Sequence, residues 1–185
     1  MIVAGLDPGL AYVGYALVEF SDKGREVLAL GTAHTQQSGR KGSVRQMSDT
    51  TRRAREVWRE VRKAWGSYPQ AICLENPIPN LRNSTVRAKI GYTIGSVVLY
   101  AELLDIAVLE VTPAEIKLAL FNRRSAQKGD VIKRVEEIYP GISWPTTTVR
   151  GASSTEMASH AADALGAIEA CLVDPTVQAL RQLRR

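Results

Sequence analysis

Apolar residues recur along this chain in two rhythms. Residues 2–7 are an apolar run closed by an acid, Ile2-Val3-Ala4-Gly5-Leu6-Asp7, the pattern of a strand buried on both faces. Residues 11–20 mix Val, Tyr and Leu with small residues, and 26–35 end before a Gly/Ser/Lys/Arg loop at 36–43. Three strands joined by short turns are predicted there. A helical period takes over at 44–65, where Ala54, Val57, Trp58, Val61 and Trp65 repeat near 3.6 residues. Residues 70–75 return to a strand, which Pro77 and Pro79 stop. A second long helix is expected over 81–104, with Gly91 and Gly95 four apart, a spacing that points to close helix packing.

Residues 106–111 read as the fifth strand. Thr112-Pro113 then opens a helix to about 120, with Thr as N-cap and Pro at the first helical position. A basic loop at 121–128 leads to a helix over 129–139, ended by Pro140-Gly141. After a Thr/Ser/Gly-rich loop at 142–152, Ser153-Ser154-Thr155-Glu156 has the form of a capping box, so the last main helix runs from there to about 173. The order β-β-β-α-β-α-β-α-α-α predicts an α/β fold. Its mixed five-stranded sheet has three antiparallel strands followed by α/β crossovers, with helices on the faces. One domain spans 1–173, and 174–185 is a basic tail, either a short helix or disordered.

Composition narrows the partners. The 185 residues are 45% hydrophobic, enough for one full core, and the net charge of +5 favours a polyanion such as nucleic acid. Cys73 and Cys171 lie in apolar runs and read as reduced core residues, which fits the cytoplasm. No signal peptide and no membrane span is evident.

The candidate chemistry lies in acids that end core elements. Asp7 closes the first strand before Pro8-Gly9, and Glu75 closes the fourth. In a crossover sheet those strands can be neighbours, which puts both carboxylates at one sheet end. His160 and Asp163 are three apart and share a helix face. The small residues around them, Ala158, Ala161, Ala162, Ala164 and Gly166, let that helix lie close to the sheet. Two hard cations need carboxylate oxygens converging from different elements to activate water and stabilise a departing phosphodiester oxygen. Asp7, Glu75 and Asp163 suffice, with His160 as a fourth ligand or a proton-handling group. Taken singly, each has an ordinary explanation: a turn aspartate, a solvated strand end, a satisfied histidine. Glu156 is accounted for as a cap. The coincidence of the set points to a metal-dependent nuclease.

These residues resemble the RuvC family of Holliday junction resolvases, within the RNase H-like nuclease superfamily. The likeness covers most of 1–172 and rests on Gly5-Leu6-Asp7-Pro8-Gly9 with Gly14, Ile72-Cys73-Leu74-Glu75, and His160-Ala161-Ala162-Asp163-Ala164-Leu165. It implies that Asp7, Glu75, His160 and Asp163 are catalytic and bind two Mg²⁺ or Mn²⁺ ions per site. It implies DNA contacts from Lys117 and Lys128, and a homodimer that nicks a four-way junction symmetrically. The dimer contact would use the helix at 81–104, with Tyr92, Val97 and Val98. The chain departs from the family after the second acid: Asn76-Pro77-Ile78-Pro79 lacks the aromatic that stacks at the crossover, and Ile78 is the apolar residue left there.

Further phosphate contacts are expected from Arg82, Arg87, Lys89, Arg123, Arg124 and Arg150, which should ring the acids. The basic face of the first helix (Arg52, Arg53, Arg55, Arg59, Arg62, Lys63) reads as solvated, partly paired by Glu56 and Glu60. Trp58 and Trp65 read as core, and Trp144 as a base-stacking candidate. Three rival readings remain. One is a branched-DNA, flap or ribonuclease H-type nuclease of the same superfamily. The second is a non-catalytic junction-binding protein. The third, an actin-like ATPase or sugar kinase, lacks its second phosphate loop here.

Overall fold

The computed structural model describes residues 1–39, 45–77, 82–145 and 154–182. The elements run β1 (Ile2–Asp7), β2 (Tyr12–Ser21), β3 (Gly24–His34), α1 (Gln46–Trp65), β4 (Ala71–Glu75), α2 (Ser84–Glu102), β5 (Ala107–Val111), α3 (Pro113–Phe121), α4 (Lys128–Ile138), α5 (Ser154–Cys171) and α6 (Pro175–Gln182). One five-stranded sheet has the order β3-β2-β1-β4-β5. β1 pairs antiparallel with β2 and parallel with β4, while β3 and β5 form the edges. The predicted mixed sheet is therefore present, and β1, its middle strand, is covered on both faces as its continuous apolar run requires.

Alternation divides the strands between two cores. Val3, Ala16, Val18 and Cys73 face α3, α4 and α5, and Val177 of α6 closes that core from the C-terminal side. Ala4, Leu6, Val13, Tyr15, Leu17, Ile72 and Leu74 face α1 and α2 through Val57, Val61, Trp65, Ile94, Val97 and Ala101. Cys73 and Cys171 are buried without a disulfide, and the Cys171 thiol together with burial pushes the Cys73 thiol well up, so it stays protonated.

The helix ends follow local chemistry. Asn83 caps α2 by accepting from the backbone N–H of Thr85 and Val86, at 3.0 and 3.1 Å. Thr112 and Glu115 form a capping box on α3 with Pro113 behind it, as the sequence predicts. These hydrogen bonds hold the Glu115 carboxyl below its ordinary value. α4 starts at Lys128 rather than Gly129 because Gln127 caps it, its N–H donating 2.9 Å to Asp130 Oδ2. The expected box at Ser153–Glu156 involves Ser153, which lies outside the described residues.

α5 decides the geometry of the molecule. It lies so near the sheet that a Cβ at Gly5 would stand 2.0 Å from the Ala164 carbonyl oxygen, and one at Gly14 1.9 Å from that of His160. Thr32 Oγ1 on β3 donates 2.7 Å to the Met157 carbonyl and fixes the helix along its length.

Candidate metal centre

Two parallel strands and one pressed-in helix build the centre. β1 and β4 run in parallel, with Leu6 opposite Leu74, so Asp7 and Glu75 leave the sheet at the same end. One residue beyond the α1/α2-facing Leu6 and Leu74, both acids turn to the α5 side. α5 brings Asp163 over them. Asp7, Glu75 and Asp163 each offer a carboxylate oxygen, and these oxygens all lie within 4.8 Å of one another. Glu75 is buried and the other two are half-buried. Three carboxylates this close repel one another, and a hard divalent cation is the partner that relieves the repulsion. An all-oxygen donor set of this kind fits Mg²⁺ or Mn²⁺.

His160 sits beside the trio. Its Nδ1 lies 2.5 Å from Asp7 Oδ2, so the imidazole orients the first carboxylate. The ring is itself held in a stack that sequence reasoning missed. Tyr12 at the start of β2 lies 5.3 Å from the His160 centroid at 12° and 4.6 Å from His34 at 25°. The Tyr12 hydroxyl hydrogen-bonds Glu156, and burial with that carboxylate raises its pKa. The position of Tyr12 could be read as the first residue after the Asp7 turn, but its pairing with a residue on the last long helix could not.

The turn and strand ends are tied down as well. Thr93 Oγ1 on α2 donates to the Gly9 carbonyl at 3.4 Å, and Thr35 Oγ1 to that of Leu10 at 2.5 Å. Asn76 donates from its backbone to Val111, 2.7 Å, and from its side chain to Glu110, 2.8 Å, which fixes the chain as it leaves Glu75.

The expected DNA contacts divide. Arg82, Arg87 and Lys89 border the start of α2, and Arg82 and Arg87 are exposed. Lys117 is half-buried on α3, and Arg123 and Arg124 are exposed just beyond it. Arg150, Ile78 and the side chain of Lys128 lie outside the described residues. Three expectations are corrected. Arg53 is no part of a solvated face: it is 4% exposed, and its guanidinium donates to Thr35 Oγ1 at 2.9 Å and Thr35 O at 3.3 Å, joining α1 to β3. Trp58 is half-buried rather than core and lines a groove with Tyr100, while Trp65 is buried. Trp144 offers no free ring to a base: it packs against the α3–α5 core and its Nε1 donates 2.5 Å to Glu136.

Comparison with known proteins agrees with this geometry. The family model described as crossover junction endodeoxyribonuclease RuvC matches residues 3–168. A protein of that name from Natranaerobius thermophilus is 27% identical over 139 residues, 75% of this chain and 80% of its own. One from Prochlorococcus marinus is 29% identical over 131 residues, 71% and 77% of the two chains. Thermus thermophilus RuvC in complex with Holliday junction substrate superposes with a TM-score of 0.65 at 22% identity, covering 92% of each chain. The yeast mitochondrial Holliday junction resolvase gives 0.57 at 13%, covering 98% of this chain and 83% of its own. Both share the RNase H-like sheet. The family match takes in all three converging carboxylates and every strand that carries them, and the chain belongs to the RuvC family of crossover junction endodeoxyribonucleases.

Proposed function

We propose that this protein resolves four-way DNA junctions by paired phosphodiester hydrolysis, with Asp7, Glu75 and Asp163 as the metal-holding acids. The observation that carries the reading is their convergence within 4.8 Å from three separate elements. These three acids would hold Mg²⁺ or Mn²⁺, two ions per site, whose chemistry would be to activate water and to offset charge on the departing oxygen. Asp7 and Glu75, fixed at adjacent strand ends, set the position of the attacked phosphate. Asp163 closes the site from above. His160, hydrogen-bonded to Asp7 at 2.5 Å, holds that carboxylate in its ligating orientation and is the group best placed to handle a proton. Lys117, Lys128, Arg82, Arg87, Lys89, Arg123, Arg124 and Arg150 contribute phosphate contacts that set register on the junction.

We further propose a homodimer built on α2. Gly95 is exposed with open space where a Cβ would stand, and Val98, Leu99 and Leu103 are exposed beside it, Leu99 at 61% and Leu103 at 75%. A second copy of this helix would cover that apolar face. Of the other residues expected at this contact, Val97 turns inward and is buried in its own chain, and Tyr92 faces α1, its hydroxyl 3.4 Å from Thr51 Oγ1. Two unpaired buried thiols fit a reducing cytoplasm.

The test is a synthetic four-way junction with labelled arms, in Mg²⁺ or Mn²⁺. Wild type is expected to give symmetric paired nicks with ligatable ends, and Asp7→Asn to lose at least about 10³-fold in rate, roughly 4 kcal/mol of barrier. An intact junction alongside cut forks or RNA–DNA hybrids would move the function elsewhere in the superfamily. Junction binding without any cut would leave a binding protein.

A further inference from the structure

The first and second helices enclose a groove on the sheet face opposite α5. Its volume is about 660 Å³, and its walls carry Arg55, Arg59, Arg62 and Lys63 from α1 together with Trp58, Tyr68, Tyr92 and Tyr100. The four cations are exposed, and none forms a salt bridge among the described residues. Of the two acids beside them on the same helix, Glu56 is taken by Arg52 at 2.8 Å and Glu60 forms no salt bridge among the described residues, so the four cations outnumber their local acids. Tyr68 is 61% and Tyr92 39% exposed, while Trp58 and Tyr100 stack at 5.1 Å beneath them. A second cleft over Met47, Thr51, Arg55 and Arg59 continues the track towards the start of α1.

We infer that this groove binds an unpaired DNA strand. Four unbalanced cations call for a polyanion, and open rings between them call for one that carries flat faces; single-stranded nucleic acid is both. Duplex DNA shows its bases only as edges within its grooves and cannot lay one on a ring recessed between two helices. From Arg55 to Lys63 the cation stripe runs about 12 Å along the helix, enough for roughly three phosphates. The groove also begins near the centre that cuts. Thr51 and Tyr92 meet across its mouth at 3.4 Å, and Thr93, beside Tyr92, bonds the Gly9 carbonyl two residues past Asp7. A strand unpaired at the branch point thus has a basic, aromatic channel leading away from the acids. On α2 the groove takes Tyr92, Ser96 and Tyr100, while Val98 lies well round the helix on the side proposed for the dimer, and Leu99, seven residues from Tyr92, stands at the border between the two.

The test uses the full chain carrying Asp7→Asn, so that binding is read without cutting, with fluorescein-labelled oligothymidylate of twelve nucleotides followed by anisotropy. Binding is expected to quench tryptophan emission and to weaken with salt at a log–log slope of roughly −2. Arg59→Ala with Arg62→Ala should weaken it at least about tenfold, and Tyr68→Ala about tenfold. Arg59→Lys with Arg62→Lys should restore most of the affinity, and Lys133→Ala on α4 should change nothing, which separates the effect from misfolding and from general loss of charge. Affinity untouched by the Arg59/Arg62 and Tyr68 replacements would overturn the assignment. So would tighter binding of a glutamate-rich peptide of equal charge, which would make the groove a protein-docking site. Because the readout needs no cleavage, failure of junction cutting leaves this result standing, and the reverse holds as well.

Discussion

His160 places an imidazole beside the three carboxylates, and a metal-ligating role proposed for it has a measurable consequence. The imidazole stands at the edge of the carboxylate trio, and its Nδ1 engages Asp7. Nitrogen favours Mn²⁺ over the harder Mg²⁺. Cleavage is therefore expected to be faster in Mn²⁺, and His160→Asp to narrow the gap; equal or better rates in Mg²⁺ across a titration of the wild type would sink the idea. A second residue sets an alkaline limit. Tyr139 donates 2.6 Å to Glu169, which also holds Arg25 at 2.7 Å, and burial foremost pushes its phenol far above the ordinary value. The folded state keeps that proton where the unfolded chain has lost it. The contribution is full below about pH 10 and disappears as pH rises past it. Melting temperature should fall steeply above about pH 10, and less steeply in Tyr139→Phe. Tyr12, Tyr15, Tyr100 and the Cys73 thiol, all held above their ordinary values, contribute to the slope that remains.

At the scale of elements, the contact between α5 and the sheet leaves no slack. Gly14→Ala would drive a methyl into the His160 carbonyl and lift the helix that carries both His160 and Asp163. The expected cost is about 1–3 kcal/mol by urea denaturation, with junction cleavage falling far more than stability does. Much of this was legible in the sequence. Gly5, Gly14 and the alanines of 158–167 announce a close approach, and periodicity with Pro and Gly punctuation placed every strand and the first five helices to within a few residues, while α6 was left open between a short helix and disorder. Other features were hidden for a physical reason. Arg53 looks like its neighbour Arg52 in a one-dimensional pattern, and only the end of β3, eighteen positions away, offers the Thr35 oxygens that make its burial affordable. The Tyr12–His160 stack joins residues 148 positions apart, and no local signal pairs them. The groove between α1 and α2 was concealed likewise: its cations read as a solvated face because the rings opposite belong to another helix.

At the scale of the whole molecule, the prediction concerns pairing of copies. Leu99→Glu with Leu103→Glu alters side chains that are already exposed, so each chain should fold as before. Light scattering should then report the mass of one chain, and junctions should receive single, uncoordinated nicks. A mass of one chain for the unaltered protein would remove the proposed contact.

The three carboxylates come from positions 7, 75 and 163, and this spacing sets a timetable for synthesis. While the ribosome is still making the first hundred and fifty residues, the sheet can begin to form, yet two acids face an uncovered apolar surface and the third does not exist. The carboxylate trio is complete only when the last long helix emerges and docks, and the same docking hides that surface. A chain stalled before 154 thus carries an open apolar sheet face and lacks its third carboxylate.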